Sequence, residues 1–178
     1  ATIGENMNMR RGETLSVEQG CVVSYVHNAL SGGLGKIGVL VALESTGNKA
    51  SLEQLGKQIA MHVAAARPEA LSVESISAET VARERSVLIE QAKASGKADD
   101  IIEKMVEGRL RKYYEDVALM EQTFVIDNET KIAKVVENAA HDVGAPVSLT
   151  GFVRYELGEG IEKAEADFAA EVAATLNT

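Results

Sequence analysis

Two strand-like runs separated by a short glycine-rich loop are the feature that most constrains the fold of this chain. Residues 21–29, CVVSYVHNA, are rich in β-branched and aromatic side chains, and residues 36–44, KIGVLVALE, form a continuous apolar run of strand length. We expect Gly32, Gly33 and Gly35 in the loop to supply positive φ angles in a turn. Two strands joined by so short a loop pair as a hairpin, so the chain contains an antiparallel sheet.

An amphipathic helix follows this hairpin. Its apolar residues recur every three or four positions, which is the helical period: Leu52, Leu55, Ile59, Val63 and Ala66. Ser51 is the expected N-cap, and Pro68 ends the helix because proline cannot continue the hydrogen-bond ladder. Ahead of the hairpin, a short or edge strand is expected within MNMRRGETL, residues 7–15.

Two long, highly charged helices occupy the middle of the chain. The first covers residues 77–95, Gly96 ends it, and the second runs from Asp99 or Asp100 to Glu121. Their narrow apolar seams consist of Val81, Leu88 and Ala92 on the first helix and of Ile102, Met105, Leu110, Tyr113 and Val117 on the second. Narrow seams on two helices joined by a tight turn predict an antiparallel helical hairpin that projects from the rest of the protein. We expect Gly108 to mark a close crossing of the two helices.

A further helix, strand and helix complete the chain. A cap at Asn128 or Thr130 starts a helix that reaches Ala140 and is ended by Gly144, and residues 147–157 alternate as a third strand. The last helix has one apolar face, formed by Ile161, Ala164, Phe168, Val172 and Leu176. This order predicts an α+β fold: an antiparallel three- to four-stranded sheet packed with helices, a protruding antiparallel helical hairpin and a C-terminal helix.

The pattern divides the chain into three parts. Residues 1–76 and 122–158 form a discontinuous core, residues 77–121 form an inserted helical hairpin, and residues 159–178 form a C-terminal helical module. The chain begins with Ala1 rather than Met, so we expect a processed form or a piece of a longer protein. It shows neither a signal-peptide pattern nor an apolar stretch of membrane-spanning length.

Composition and the placement of reactive residues disfavour nucleic-acid binding, metal binding and catalysis. The formal net charge of −9 argues against a protein that grips a nucleic-acid backbone, which requires concentrated Lys and Arg. The three histidines, His27, His62 and His141, have neither metal-ligand spacing nor a nucleophile near them, so we predict no catalytic residue, no metal and no cofactor. We expect His62 to be packed beside the apolar face of its helix and Cys21 to be a buried hydrophobic residue.

The glycines also match a nucleotide-binding fingerprint, because Gly33, Gly35 and Gly38 have G-x-G-x-x-G spacing. In that motif a helix follows the glycines and its N-terminus meets the phosphates, whereas strand residues follow here. We therefore expect Gly38 to mark a bulge or a close backbone approach inside the strand. A nucleotide-binding enzyme that uses this loop stays open as an alternative, and so does a module that only dimerises through the helical hairpin.

Five stretches carry motifs in a fixed order along essentially the whole chain: IGENMNMRR, KIGVLVAL, IAMHVAAARPEAL, EQAKASGKADDIIEKMVEGRLRKYYEDVALMEQTFV and GFVRYELGEGIEKAEADFAAEVAA. Together they resemble the bacterial elongation factor Ts family. The resemblance implies a cytoplasmic guanine-nucleotide exchange factor for elongation factor Tu, without covalent chemistry of its own. Such a partner binds the nucleotide-free state of Tu more tightly and therefore weakens nucleotide affinity by the same factor.

The resemblance also implies which residues contact Tu, because the core hairpin and the last helix face Tu in the family. The expected contacts are His27, Asn28, Gly33, Gly35, Ile37, Phe168 and Val172. A homodimer is left open as a second arrangement, and neither a nucleic-acid partner nor a membrane partner is expected.

Two features of the family have no counterpart in these residues. One is an N-terminal ubiquitin-associated-like domain, and the other is a T-D-F-V segment whose Asp-Phe pair intrudes beside the magnesium site of Tu. The chain therefore resembles the C-terminal half to two-thirds of the factor. We expect the 178 residues alone to bind Tu weakly, and we expect GDP to leave Tu slowly in their presence.

Overall fold

The structure, a computed structural model, describes residues 9–30 and 32–161 and shows an α+β fold, as the sequence predicts. The elements follow the order β1 (Gly20–His27), β2 (Ile37–Glu44), α1 (Lys49–Ala66), α2 (Ala78–Lys93), α3 (Asp99–Val117), α4 (Ile132–Val143) and β3 (Ser148–Glu156). Short 3₁₀ turns at Val73–Ser75 and Leu119–Glu121 flank the α2–α3 pair.

The three strands form one antiparallel sheet in the order β1–β2–β3. His27 pairs with Ile37 next to the glycine-rich loop, which confirms the predicted hairpin. On its other side Ile37 pairs with Glu156 near the end of β3, and the ladder has one irregularity at Ala42/Leu43. The end of the sheet that holds the β1–β2 loop therefore also holds the C-terminal end of β3.

One face of this sheet packs against α1, and α4 packs against α1 in turn. Alternate residues of β2 point to that face and are buried: Ile37, Val39, Val41 and Leu43. The helix residues in the same core include Leu52, Leu55, Ile59 and Val63 of α1 and Ile132 and Val136 of α4. Gly56 allows α1 to approach β1 closely, because a β-carbon at this position would meet the side chain of Val23.

The start of α1 differs from the sequence expectation. The N-cap is Asn48, whose side-chain oxygen accepts the Ser51 amide hydrogen at 3.0 Å, so the prediction of Ser51 as the cap is wrong. The apolar period begins only at Leu52 and gives no signal for the polar turn before it. At the other end Arg67 has a left-handed φ of 54° and Pro68 follows, which confirms the predicted stop.

The α2–α3 pair has an apolar cluster of its own. Its buried residues are Leu88, Ala92, Ile102, Val106 and Leu110. Val106 is 1% exposed, whereas the predicted seam residue Met105 is only half-buried.

Gly108 lies two positions after Val106, on the opposite side of α3, and a β-carbon there would have no heavy atom of the described residues within 4 Å. The predicted close crossing at Gly108 is therefore wrong. The division into a core and an inserted hairpin stays a prediction, which the separate cluster supports.

Helix α4 begins later than the sequence predicts. Its N-cap is Lys131, without a side-chain capping bond, so Asn128 and Thr130 as caps are wrong. The reason is Asp127, whose carboxylate accepts hydrogen bonds from two following backbone amides, both at 3.0 Å, and closes a separate turn ahead of the helix. Gly144, with φ of 78°, ends α4 as predicted.

The segment before β1 forms no regular secondary structure over residues 9–17. The strand predicted in MNMRRGETL is therefore wrong over its described part. The chain here is held by side chains instead, because Arg10 and Arg11 bind the turn that follows β3. The last predicted helix lies outside the described residues beyond Ile161.

Candidate protein-binding surface

The loop between β1 and β2 is tied back to the sheet by backbone hydrogen bonds. The Lys36 amide donates to the His27 carbonyl oxygen at 3.2 Å, and the Leu30 amide donates to the Leu34 carbonyl oxygen at 2.9 Å. Asn28 leaves β1 with a left-handed φ of 52°, a conformation that asparagine tolerates better than most residues. These bonds hold the described residues of the loop against the end of the sheet.

The loop glycines have different roles. Gly32 (φ 51°) and Gly33 (φ 82°) adopt left-handed angles, as predicted. Gly35 does not, which corrects the prediction made for it. A β-carbon at Gly35 would meet the Val26 side chain and the His27 carbonyl oxygen. Gly35 is therefore required by the close approach of β1 rather than by its own φ angle.

Gly38 lies in a regular part of the ladder, between Val26 and Tyr155. A β-carbon there would have no heavy atom within 4 Å among the residues that the structure describes, so the predicted bulge or close approach is wrong. The irregularity of β2 lies at Ala42/Leu43 instead. Because β2 follows the loop, the glycines do not lead into a helix N-terminus, and the strand-loop-helix arrangement that binds phosphate in the G-x-G-x-x-G motif does not form.

His27 and Asn28 are exposed at the mouth of the hairpin, where the sequence places them. The Nδ1 atom of His27 lies 3.0 Å from the hydroxyl oxygen of Tyr25, and the two ring centres are 6.0 Å apart. This hydrogen bond holds the imidazole beside the tyrosine ring. Both predicted contact residues thus offer side-chain surface to a partner.

Exposed apolar side chains lie on two segments at the same end of the sheet. Leu30 (83% exposed) and Leu34 (69%) belong to the loop, and Leu157 (81%) and Ile161 (54%) follow β3. The Leu157 amide donates to the Lys36 carbonyl oxygen at 2.8 Å and ties the two segments together. We call Leu30, Leu34, Leu157 and Ile161 the apolar sheet end. Exposed apolar groups of this kind mark interaction sites, and Leu30 and Leu157 were not among the contacts expected from the sequence.

The other predicted contact residues are placed less favourably or not described. Ile37 is 9% exposed and belongs to the core cluster, so it supports the loop from beneath. Phe168 and Val172 lie outside the described residues. The contact role of every residue predicted from the sequence stays a prediction.

Comparison with known proteins gives a consistent result. Residues 1–159 match the family model described as Elongation factor TS. The chain is 68% identical over 176 residues to elongation factor Ts of Rhodospirillum rubrum, 62% over 178 residues to that of Paramagnetospirillum magneticum, and 58% over 176 residues to that of Rhizobium etli strain CIAT 652. The chain belongs to the elongation factor Ts family. The resemblance recognised in the sequence is thereby confirmed.

The alignments to these elongation factor Ts relatives cover 99%, 100% and 99% of the chain but 57% of each relative. The chain thus spans a little over half the length of the curated relatives it matches. What the whole relatives do is therefore carried over to this chain only as a proposal.

In this member of the elongation factor Ts family the buried polar side chains form a closed network. His62 has no exposed surface, and its Nδ1 accepts the Val125 amide hydrogen at 3.2 Å. Nε2 must then carry the ring hydrogen, which it donates to Oε1 of Gln122 at 2.9 Å. Gln122 in turn donates to the Asp116 carbonyl oxygen at 2.6 Å. The packed role predicted for His62 is confirmed, and burial lowers the pKa of its imidazole.

A charged cleft of about 340 Å³ lies between α3 and the start of α4, and its charges pair with one another. Lys112 binds Asp116 at 2.8 Å, and Lys131 binds Glu121 at 2.7 Å and Glu115 at 3.8 Å. The hydrogen bond to Glu121 raises the pKa of Lys131, which therefore stays charged. Lys131 thus joins neighbouring elements, whereas Lys112 pairs within α3, and neither lysine is poised as an acid or a base.

Cys21 is 8% exposed, and burial, followed by the nearby carboxylate of Glu53, raises the pKa of its thiol. This confirms the interpretation of Cys21 as a buried hydrophobic residue. In the described part of the chain, no group of three or more His, Cys, Asp or Glu side chains could hold a metal ion. No helix in that part is long and apolar enough to cross a membrane.

Proposed function

We propose that this chain acts in the cytoplasm as part of a guanine-nucleotide exchange factor for elongation factor Tu in translation elongation. It binds nucleotide-free Tu more tightly than Tu with GDP. Because the two binding equilibria are linked, it weakens the affinity of Tu for GDP by the same factor. Exchange of this kind needs differential binding and no covalent step, so the factor is not an enzyme in the usual sense.

The apolar sheet end, on a member of the elongation factor Ts family, is the observation that carries the proposal. Leu30 and Leu34 expose most of their surface on a loop whose backbone is tied down. His27 and Asn28 lie beside them and supply polar groups. Apolar anchors surrounded by a polar rim are the usual composition of a protein interface.

The expected contact residues divide by role. His27 and Asn28 contact Tu through their side chains, whereas Gly33 and Gly35 keep the loop in its shape. Ile37 anchors the loop in the core, and Phe168 and Val172 contact Tu from the C-terminal residues. A homodimer through α2 and α3 is a further proposal. Sedimentation of a variant lacking residues 78–120 tests it, and an unchanged number of chains per particle contradicts it.

The binding surface is tested by calorimetric titration of nucleotide-free Tu with single variants of the chain. Leu30→Ala and Leu34→Ala are each expected to weaken binding about 5- to 30-fold, as buried interface anchors do. Ile126→Ala is the matched control, because Ile126 is 49% exposed but lies in the turn before α4. Equal affinity for all three variants and the unchanged chain would contradict the assignment of the surface.

Exchange itself is tested by stopped-flow release of fluorescent GDP from Tu. We expect the 178 residues to accelerate release, but less than a full-length relative does, because the T-D-F-V segment is not among these residues. No acceleration at a concentration that saturates Tu would contradict the proposed function. Titration of the chain alone with labelled GDP tests the nucleotide-binding alternative, which requires saturable binding that Gly35→Val abolishes.

A further inference from the structure

Two adjacent arginines from the start of the described chain converge on the turn that follows β3. Nη1 of Arg10 donates to the Glu159 carbonyl oxygen at 3.1 Å, and Nη2 donates to the Gly160 carbonyl oxygen, also at 3.1 Å. A guanidinium group presents parallel donors in a fixed plane, so one side chain holds two successive carbonyl groups. Arg10 thus binds the backbone of the turn and not merely its charges.

Arg11 binds the same turn from a different direction. Its Nη2 lies 3.1 Å from Oε2 of Glu159, and its guanidinium carbon lies 4.7 Å from the centre of the Tyr155 ring. The other carboxylate oxygen of Glu159 lies 3.6 Å from Nη1 of Arg154. Glu159 is therefore held between two guanidinium groups, one of them on the largely buried side chain of Arg154.

The turn is of a kind that needs external support. Gly158 (φ 81°) and Gly160 (φ 68°) both have left-handed angles, and glycine has the largest backbone freedom to lose. Within the turn, the Glu159 amide donates to the Glu156 carbonyl oxygen at 3.1 Å and the Ile161 amide donates to Gly158 at 3.2 Å. The arginines add contacts across almost the full length of the sequence, which local bonds cannot replace.

We propose that Arg10 and Arg11 are positioning residues for partner binding. They clamp the 157–160 turn so that Leu157 and Ile161 stay in the apolar sheet end and the chain leaves the sheet in one direction. A surface that is ordered before binding loses less conformational entropy when the partner arrives. The identity of the partner rests on the proposed function above, whereas the clamp itself does not.

Hydrogen exchange of the full chain tests the clamp without any partner. Arg10→Met is expected to speed exchange of the Glu159 and Ile161 amides about three- to tenfold, with the β2 amides unchanged. Arg111→Met is the matched control, because Arg111 is an exposed arginine of α3 for which the structure shows no ion pair within the described chain. Glu159→Gln, which removes the charge that binds Arg11 but keeps the carbonyl that binds Arg10, is expected to give a smaller effect. Unchanged exchange in Arg10→Met overturns the clamp.

Binding to nucleotide-free Tu tests the positioning role. Arg10→Met is expected to weaken binding about three- to tenfold at an unchanged melting temperature. Its effect is expected to shrink when Leu157→Ala is also present, because a positioning residue acts through the side chain it positions. Additive losses, or full affinity despite a loosened turn, overturn the role. If the unchanged chain does not bind Tu, the proposed function fails. The hydrogen-exchange measurement, which needs no partner, still decides whether the clamp exists.

Discussion

Replacement of His62 by glutamine is expected to remove a pH dependence of folding that the buried imidazole creates. Both ring nitrogens of His62 are engaged, Nδ1 as acceptor from Val125 and Nε2 as donor to Gln122. A second ring proton would place a donor against the Val125 amide, which is itself a donor. The site therefore holds neutral histidine, and burial lowers the pKa of His62 below the ordinary value of 6.5.

The sign of the effect follows from proton binding. Below pH 6.5 the unfolded chain takes up a proton at His62, whereas the folded protein does so only at lower pH. The contribution of His62 to the free energy of unfolding is therefore complete above pH 6.5. It is lost as the pH falls below that value, by at most about 1.4 kcal/mol per pH unit. Asp127, held by backbone amides, and Glu156, held by Arg154, have lowered pKa values and lose their contributions only below about their ordinary values of 3.8 and 4.5. The pH range in which His62 changes the stability therefore lies above the range in which these two carboxylates change it.

Urea unfolding between about pH 7 and pH 5 measures this contribution. His62→Gln keeps an amide that can donate to Gln122 but leaves the Val125 amide without its acceptor, so we expect a loss of about 1–3 kcal/mol near neutral pH. Between pH 6.5 and 5 its stability is expected to fall less steeply than that of the unchanged protein. His141→Gln is the control, because the His141 side chain is 94% exposed, and it is expected to change little. An equally steep fall in His62→Gln would refute the reasoning.

Two further predictions compare matched pairs of variants. Gly56→Ala is expected to lower the free energy of unfolding by about 1–2 kcal/mol, because the new methyl group meets Val23, whereas Gly108→Ala in the open face of α3 is expected to raise it by about 0.5–1 kcal/mol. Urea unfolding checks both, and changes of the same sign would contradict the packing described. Asn48→Ala is expected to cost about 1 kcal/mol and Ser51→Ala less than about 0.5 kcal/mol, as measured by thermal unfolding. Equal losses would show that Asn48 is not the dominant cap.

The fold was predictable where burial imposes a period on the sequence. The runs that became β1, β2 and α1 alternate or recur because one side of each faces the core. Helix starts were less predictable, because Asn48 and Asp127 act through hydrogen bonds to nearby amides and leave no apolar pattern. Several polar residues near each start could have formed such a bond, and only the backbone geometry selects one.

The candidate surface was only half predictable for a different reason. The placement of His27 and Asn28 at the mouth of the hairpin follows from the two strand-like runs, which are neighbours in the sequence. Leu157 joins the surface only because β3 pairs with β2 so that Glu156 lies opposite Ile37. No local pattern fixes that register.

The glycine fingerprint shows what a spacing motif needs before it has chemical meaning. A phosphate site requires free backbone amides that converge ahead of a helix. Here the residues after the loop belong to β2, the central strand, whose backbone is engaged by β1 on one side and β3 on the other from Ile37 onward. The loop also places Leu30 and Leu34 where a charged phosphate would have to lie close to apolar surface. The glycines therefore shape a loop that suits a protein partner, and the same spacing would acquire its nucleotide meaning only if a helix replaced β2.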